Sequence, residues 1–288
     1  MERDNRRQWQ EPNLWVPVLI IMVVIGAALF FWPAGEKPKE PVKEDTSAAT
    51  KDNLQLPGEA EEPKIQYPVP GDAGKPEGAI TQSPKEKTQL PGLDESDAFI
   101  EEEFRHLYDE QKFGGLFLLK DVIRNMVVTI DNMTGPKLPQ KYSFTRPPAG
   151  QFTVTRDAAG SEFIDPKNYS RYRLYIELAE MADIQRFVSF YVRYYPLFQH
   201  AYRDLGYPDR YFNDRLIAVL DHLLAAPEIR VPVQLVRPKV FYVFANPELE
   251  GLSAGQKILV RIGPENAARV KARLKELRHT LATFKSKK

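Results

Sequence analysis

Residues Leu14 to Trp32 form a 19-residue run without a single charge. A helix of that length, rising ~1.5 Å per residue, spans roughly 28 Å, close to the hydrocarbon thickness of a bilayer. Twelve of the 19 residues are Leu, Ile, Val or Phe, and each favours insertion by about 0.3–0.6 kcal/mol near the helix centre. Pro17 falls in the first turn, where its missing N–H costs little. All three tryptophans lie here, with Trp9 and Trp15 at one end and Trp32 at the other, the placement expected at two membrane interfaces. The sequence therefore predicts a transmembrane anchor over 14–32 behind a cytoplasmic stub over 1–13. A cleaved signal peptide is the competing reading. The length of the run and the lack of a clean A-x-A site stand against it. The flanking charges nearly tie, with Arg3, Arg6 and Arg7 on one side and Lys37, Lys39 and Lys43 on the other. A short internal stub with the bulk exported is the commoner bacterial layout, so the expected topology is a single-pass inner-membrane protein with a periplasmic C-terminal domain. A domain facing the cytoplasm is the alternative.

The composition shifts after the anchor. Ten of the 24 prolines lie between Pro33 and Pro91, among many Glu, Lys, Gly and Thr residues. Such a stretch buries too little apolar surface to offset its conformational entropy, so residues 33–90 read as a disordered linker. The phrase Gln55-Leu56-Pro57-Gly58 recurs as Gln89-Leu90-Pro91-Gly92. Between Pro33 and Asp97 there are 8 Lys against 14 Asp+Glu, so the tether is net acidic. Its expected r.m.s. span is about 40–45 Å.

Residues 91–288 read as one folded domain, predominantly α within an α+β class. Expected helices start near Ser96 (Phe99, Ile100, Phe104 and Leu107 inward), then cover 116–133, 168–181, 184–205, 209–225, 253–262 and 264–284. The 116–133 helix is dense enough in apolar residues to be buried nearly all round. Asp183 is a good N-cap for the 184–205 helix. Its stripe, from Ile184 through Phe187, Tyr191, Tyr195 and Phe198 to Leu205, keeps phase across Pro196 and predicts a kinked continuous helix. Residues 151–164 alternate around a glycine turn and read as a β-hairpin. Val231–Leu235 and Val240–Phe244 read as short strands.

The absence of cysteine excludes disulfides, thiolate chemistry and Cys-ligated metals. A balance of 40 Lys+Arg against 39 Asp+Glu argues against nucleic acid as a partner. His106, His200, His222 and His279 are too scattered for a metal site, and no nucleotide, zinc or hydrolase motif occurs, so neither metal nor cofactor is expected. Nine of the 13 tyrosines fall between Tyr169 and Tyr211. At helical spacing they read first as packing and second as a sugar- or peptide-stacking surface. Arg210 and Asp214 suggest an i,i+4 surface pair, and adjacent Asp221 and His222 resemble an acid–base pair only in composition. Lys257 and Arg261 share a helix face that could hold an anion. The C-terminal helix is basic, with eight Lys+Arg against two Glu after Pro264. It could lie on anionic lipid or dock on the domain.

Several phrases are distinctive in combination. They include Thr129-Ile130-Asp131-Asn132, Asn168-Tyr169-Ser170-Arg171-Tyr172, Tyr195-Pro196-Leu197-Phe198-Gln199, Leu205-Gly206-Tyr207-Pro208, Phe212-Asn213-Asp214-Arg215, Asp221-His222-Leu223-Leu224 and Ser253-Ala254-Gly255-Gln256-Lys257. Across about Leu90 to Leu281 the chain resembles the bacterial domain of unknown function 3014. Phe244-Ala245-Asn246-Pro247 departs from that pattern, which has Asp at the third place. The resemblance implies a proteobacterial envelope protein with an anchor–linker–domain layout and supplies no activity, cofactor or catalytic residue. The expected function is a membrane-tethered interaction or scaffolding domain for an envelope protein or cell-wall partner. The expected surface comprises Tyr211, Asn213, Arg215, Gln256, Lys257 and Arg261. The alternative is an envelope enzyme acting on the cell wall through carboxylates such as Asp131 or Asp221.

Overall fold

The computed structural model describes residues 65–69, 90–105, 110–181 and 183–284. The expected anchor over 14–32, the stub and most of the linker lie outside the described residues. Among the described residues, no helix is long and apolar enough to cross a membrane.

The chain enters the domain through a 3-10 turn and helix α1 (Ser96–Arg105), where the Ser96 hydroxyl donates to the Leu93 carbonyl at 2.7 Å. Ile100 of the expected apolar face is buried, but Phe99 is half exposed. A short helix α2 (Glu110–Phe113) and a 3-10 turn follow. The expected helix over 116–133 starts only at Val122, as α3 (Val122–Asn132). Its first part is extended instead. Phe117 bridges Thr145, Leu118 N–H donates to Phe144 and Arg146 N–H donates to Leu116. The break falls at Asp121, whose φ of 51° is left-handed. The Asp97 carboxylate of α1 accepts from the Asp121 and Val122 amides at 2.6 and 3.0 Å and satisfies that helix start.

Two antiparallel strands, β1 (Val154–Arg156) and β2 (Glu162–Ile164), form the expected hairpin. The single helix expected over 168–181 is two, α4 (Lys167–Ser170) and α5 (Arg173–Met181). Helix α6 (Ile184–Asp204) runs unbroken through Pro196, and the Asp183 carboxylate accepts from the amides of Gln185 and Arg186. Its buried stripe is the expected one except at its end, where Leu205 emerges to solvent. Helix α7 (Phe212–Leu224) starts three residues later than expected. Strands β3 (Gln234–Val236) and β4 (Val243–Phe244) are shorter than the apolar runs that suggested them, and Val231 and Val240 are exposed. Three helices close the chain: α8 (Pro247–Glu250), α9 (Ala254–Arg261) and α10 (Pro264–Thr283). Gly263 joins the last two at φ 89°, and a Cβ there would meet the Tyr169 ring at 2.6 Å, so only glycine fits the corner.

The result is an α+β domain. The strands form one antiparallel meander in the order β1-β2-β3-β4, with Phe163 opposite Gln234 and Leu235 opposite Phe244. The main core packs α3, α6, α7 and α10 around residues such as Val127, Tyr195, Phe212, Leu223 and Leu274. A smaller core under the sheet gathers Ile164, Val233, Leu235, Phe244 and Val260. Helix α9 lies between the two cores, with all eight residues buried. The tyrosines serve the core. Tyr191 and Tyr195 are edge-on at 5.5 Å, and Phe198 stacks on Phe212 at 5.9 Å. Burial pushes the Tyr191 hydroxyl well above its usual value. The basic helix α10 docks on the domain. Arg269 pairs with Glu180, and Arg278 chelates Asp221 at 2.9 and 3.1 Å.

Candidate functional site

The linker contains a docked segment. Residues 65–69 lie against the start of α7, with Val69 5 % exposed and joined to the main core. The contacts read main chain. The Asp214 carboxylate accepts from the Gln66 amide at 3.0 Å through Oδ2 and from the Tyr67 amide at 2.8 Å through Oδ1. The Asn213 carboxamide donates to the Tyr67 carbonyl at 2.8 Å. Asn213 is itself fixed, because its Oδ1 accepts from the buried Tyr191 hydroxyl at 3.1 Å. The Tyr211 hydroxyl accepts from the Val69 amide at 3.4 Å. Arg278 of α10 lies over the Tyr67 ring, 5.8 Å from its centre, and its Nη2 reaches the Tyr67 hydroxyl at 3.5 Å. The site is thus a shallow groove walled by the first turn of α7 and one arginine of α10, and a segment from nearly 150 residues upstream, bent at Gln66 and Tyr67, lies in it.

Helix start chemistry explains the groove. Residues 207–211 form a loop, so Phe212 and its neighbours present amides and side chains at a helix end. The Gln199 carboxamide closes that end. It accepts from Phe212 N–H and from the Tyr195 hydroxyl, and it donates to the Arg210 carbonyl, each at 2.8 Å. With the start held from beneath, the buried Asn213 spans from the Tyr191 hydroxyl to the Tyr67 carbonyl, and Asp214 lies beside it toward the segment. Asp214 forms no pair with Arg210. Its carboxylate serves the segment, and Arg210 lies over the Tyr207 ring at 5.4 Å.

The six residues expected to make an interaction surface divide. Tyr211 and Asn213 touch the docked segment. Arg215 points the other way and ties α7 to α3. Its guanidinium donates to the Asp131 carboxylate at 2.7 Å, to the Asp131 carbonyl at 2.5 Å and to the Thr134 hydroxyl at 2.8 Å. Gln256, Lys257 and Arg261 lie on buried α9. Gln256 donates to the His222 carbonyl at 3.0 Å. Lys257, 4 % exposed, pairs with Glu250 at 2.6 Å. Burial pushes the Lys257 ammonium below the usual lysine range, and the Glu250 hydrogen bond opposes that fall. Arg261 lies over the Phe244 ring at 5.1 Å, and burial lowers its guanidinium pKa. A cavity of about 390 Å³ opens beside it, walled by Phe152, Tyr172, Leu235 and Tyr242.

The carboxylates proposed as acid–base groups are also engaged. Asp131 accepts from Arg215 and from the Tyr207 hydroxyl at 3.2 Å. Asp221 is held by Arg278, and its neighbour His222 meets the Ser253 hydroxyl at 2.8 Å instead. Burial pushes the His222 imidazole below its usual value. Among the described residues, no cluster of three or more His, Asp or Glu side chains could hold a metal ion.

Sequence reasoning missed Tyr67, Val69 and Arg278 as parts of the site. One signal pointed to the first two. Ile65, Tyr67 and Val69 alternate between prolines, and Tyr67 is the lone aromatic residue between Trp32 and Phe99.

The distinctive phrases are the polar joints of the fold. Asp131 meets Tyr207 and Arg215, Gln199 meets Phe212, and His222 meets Ser253. Asn168 exchanges hydrogen bonds with Thr153 N–H at 3.0 Å and its carbonyl at 2.6 Å. Asn246, at the departing position, caps α8 by accepting from the Glu248 amide at 2.8 Å, a role that Asp would fill equally well. No match to a curated protein or to a solved structure was found. The family described as protein of unknown function (DUF3014) matches residues 122–278, more than half of the chain, and the chain belongs to that family.

Proposed function

We propose that this chain is a single-pass inner-membrane protein that presents a periplasmic interaction module on an acidic tether. The module's groove at the start of α7 takes a peptide segment of an envelope protein. One observation carries this reading. Asn213 and Asp214 engage three main-chain groups of a segment that bends at Gln66 and Tyr67, two amides and a carbonyl. A carboxylate that bonds two successive amides recognises backbone shape, as peptide-binding sites do. Hydrogen bonds to a charged acceptor contribute about 1.5–3 kcal/mol each, enough to orient a partner chain. The uncharged run over 14–32 and the Pro-rich acidic tether support the membrane part of the reading.

The test is photo-crosslinking in cells, with a benzophenone amino acid in place of Tyr211 in the full-length chain. An adduct of defined mass with another envelope protein is expected, and loss of that adduct in Asp214→Ala. A probe that reacts only within its own chain would overturn the reading. A compartment-sensitive reporter fused after Lys288 decides the topology, and activity on the periplasmic side is expected.

A further inference from the structure

We infer that the segment Gln66–Val69 is an internal ligand that occupies the groove in cis, and that the external partner is a peptide of the same pattern, aromatic–proline–β-branched, which must displace it. This rests on the reading that the groove takes peptides.

Four observations carry the inference. First, the segment is recognised as a ligand would be. Its contacts to the domain go to side chains at Asn213, Asp214, Tyr211 and Arg278, and it joins no strand or helix of the domain. Second, its hold is shallow. Ile65, Gln66 and Pro68 are exposed, Tyr67 is half-buried and Val69 alone is fully covered. Third, its sequence is shaped for the task. Pro68 has no amide to leave unpaired, and it narrows the backbone freedom of Tyr67 before it. Little conformational entropy remains to be lost there. Fourth, the connection is short. Twenty residues, 70–89, join Val69 to Leu90. A covalent link of that length holds the segment at an effective concentration on the order of millimolar. An external peptide therefore meets a groove that is filled most of the time, and its apparent affinity falls by the fraction left open.

The experiment uses the full-length chain in detergent micelles and a fluorescent peptide copying residues 63–71, with binding read by anisotropy. Three chains are compared: wild type, the segment-released double variant Tyr67→Ala/Val69→Ser, and that variant with Asp214→Ala added. The released chain is expected to bind at least tenfold more tightly than wild type, and Asp214→Ala to remove the gain. Gln66→Pro removes the exposed Gln66 amide that donates to Asp214 and alters no buried side chain, so it weakens docking without a core substitution. A smaller gain in the same direction is expected. Equal binding by wild type and both released chains would overturn the competition and leave the peptide-binding groove standing. No binding by any chain would overturn the groove reading and this inference with it.

Discussion

Lys257 and Glu250 show how a polar residue can look functional in sequence and be structural in the fold. Both lie near the junction of the two cores, yet their exposure differs: the ammonium is buried, and the carboxylate keeps about a quarter of its surface in water. Removing one partner should therefore cost unequal amounts. Glu250→Ala strands a buried charge and should destabilise the domain by about 3–5 kcal/mol. Lys257→Met fills the same slot with an apolar chain and leaves Glu250 its contact with the Phe244 amide, so about 1–2 kcal/mol is expected. Denaturant unfolding of the two variants checks the order. His222 makes a second prediction. Its imidazole is depressed in the folded chain, chiefly by burial and further by Arg215. Between its folded and unfolded values the unfolded state binds more protons, so stability rises with pH. The contribution is complete above the ordinary histidine value of 6.5 and is lost as pH falls from that value through the lower folded one. His222→Gln should flatten the decline between pH 7 and pH 5 relative to wild type in melts across that range. Individual polar residues were legible as noteworthy but not as to role, because composition cannot say whether a hydrogen-bonding side chain faces water or a neighbouring element.

Elements were legible where period and punctuation agreed. Helix α6 kept its phase through Pro196, because an exposed proline can be accommodated while the buried stripe continues. Helix α10 read correctly from its 3-4 apolar spacing. The region 116–133 failed for a physical reason. Its apolar residues are buried in two different ways, first as a stretch paired with Phe144–Arg146 and then as α3, and hydrophobicity alone does not separate them. Helix α9 was legible in extent but not in surroundings. Eight residues with Gln, Lys and Arg suggest a half-exposed helix, whereas it is enclosed on every side. Gly255 allows that enclosure. A Cβ there would approach Leu223 Cδ2 to 2.5 Å and the Met133 carbonyl to 3.0 Å, and the Gly255 amide already donates to that carbonyl at 3.0 Å. Gly255→Ala gains helix propensity but forces α9 away from α3 and α7. The packing term should win, with a net loss of about 1–3 kcal/mol, readable as a lowered melting temperature. An unchanged or raised one would show that Leu223 moves aside freely.

At the scale of the molecule, two cores are joined by α9, and the docked segment meets the main one only at its edge, through Val69 and Tyr67. The composition of the linker hid it, because two or three apolar residues among prolines and charges cannot be told from noise until the groove that receives them is known. Its energetics suit something exchangeable. Burying Val69 contributes about 1.5–3 kcal/mol, and the two amides on Asp214 together contribute about 3–6 kcal/mol. Ordering five residues costs about 1–2 kcal/mol each, less at Pro68. The terms nearly cancel, leaving a net of a few kcal/mol at most. Replacing residues 65–69 by Ser-Gly-Ser-Gly-Ser in the full-length chain should then lower stability by no more than about 2 kcal/mol. For a domain of this size that is a shift of about 4–8 °C in melting temperature. A core strand or helix removed in the same way would cost far more, since each buried side chain lost leaves a cavity as well as a transfer term. Circular-dichroism melts of the two chains decide. A small shift marks a segment that a partner of ordinary affinity can displace. A fall of 15 °C or more would make 65–69 an integral part of the fold, and the groove would then be closed to any competitor.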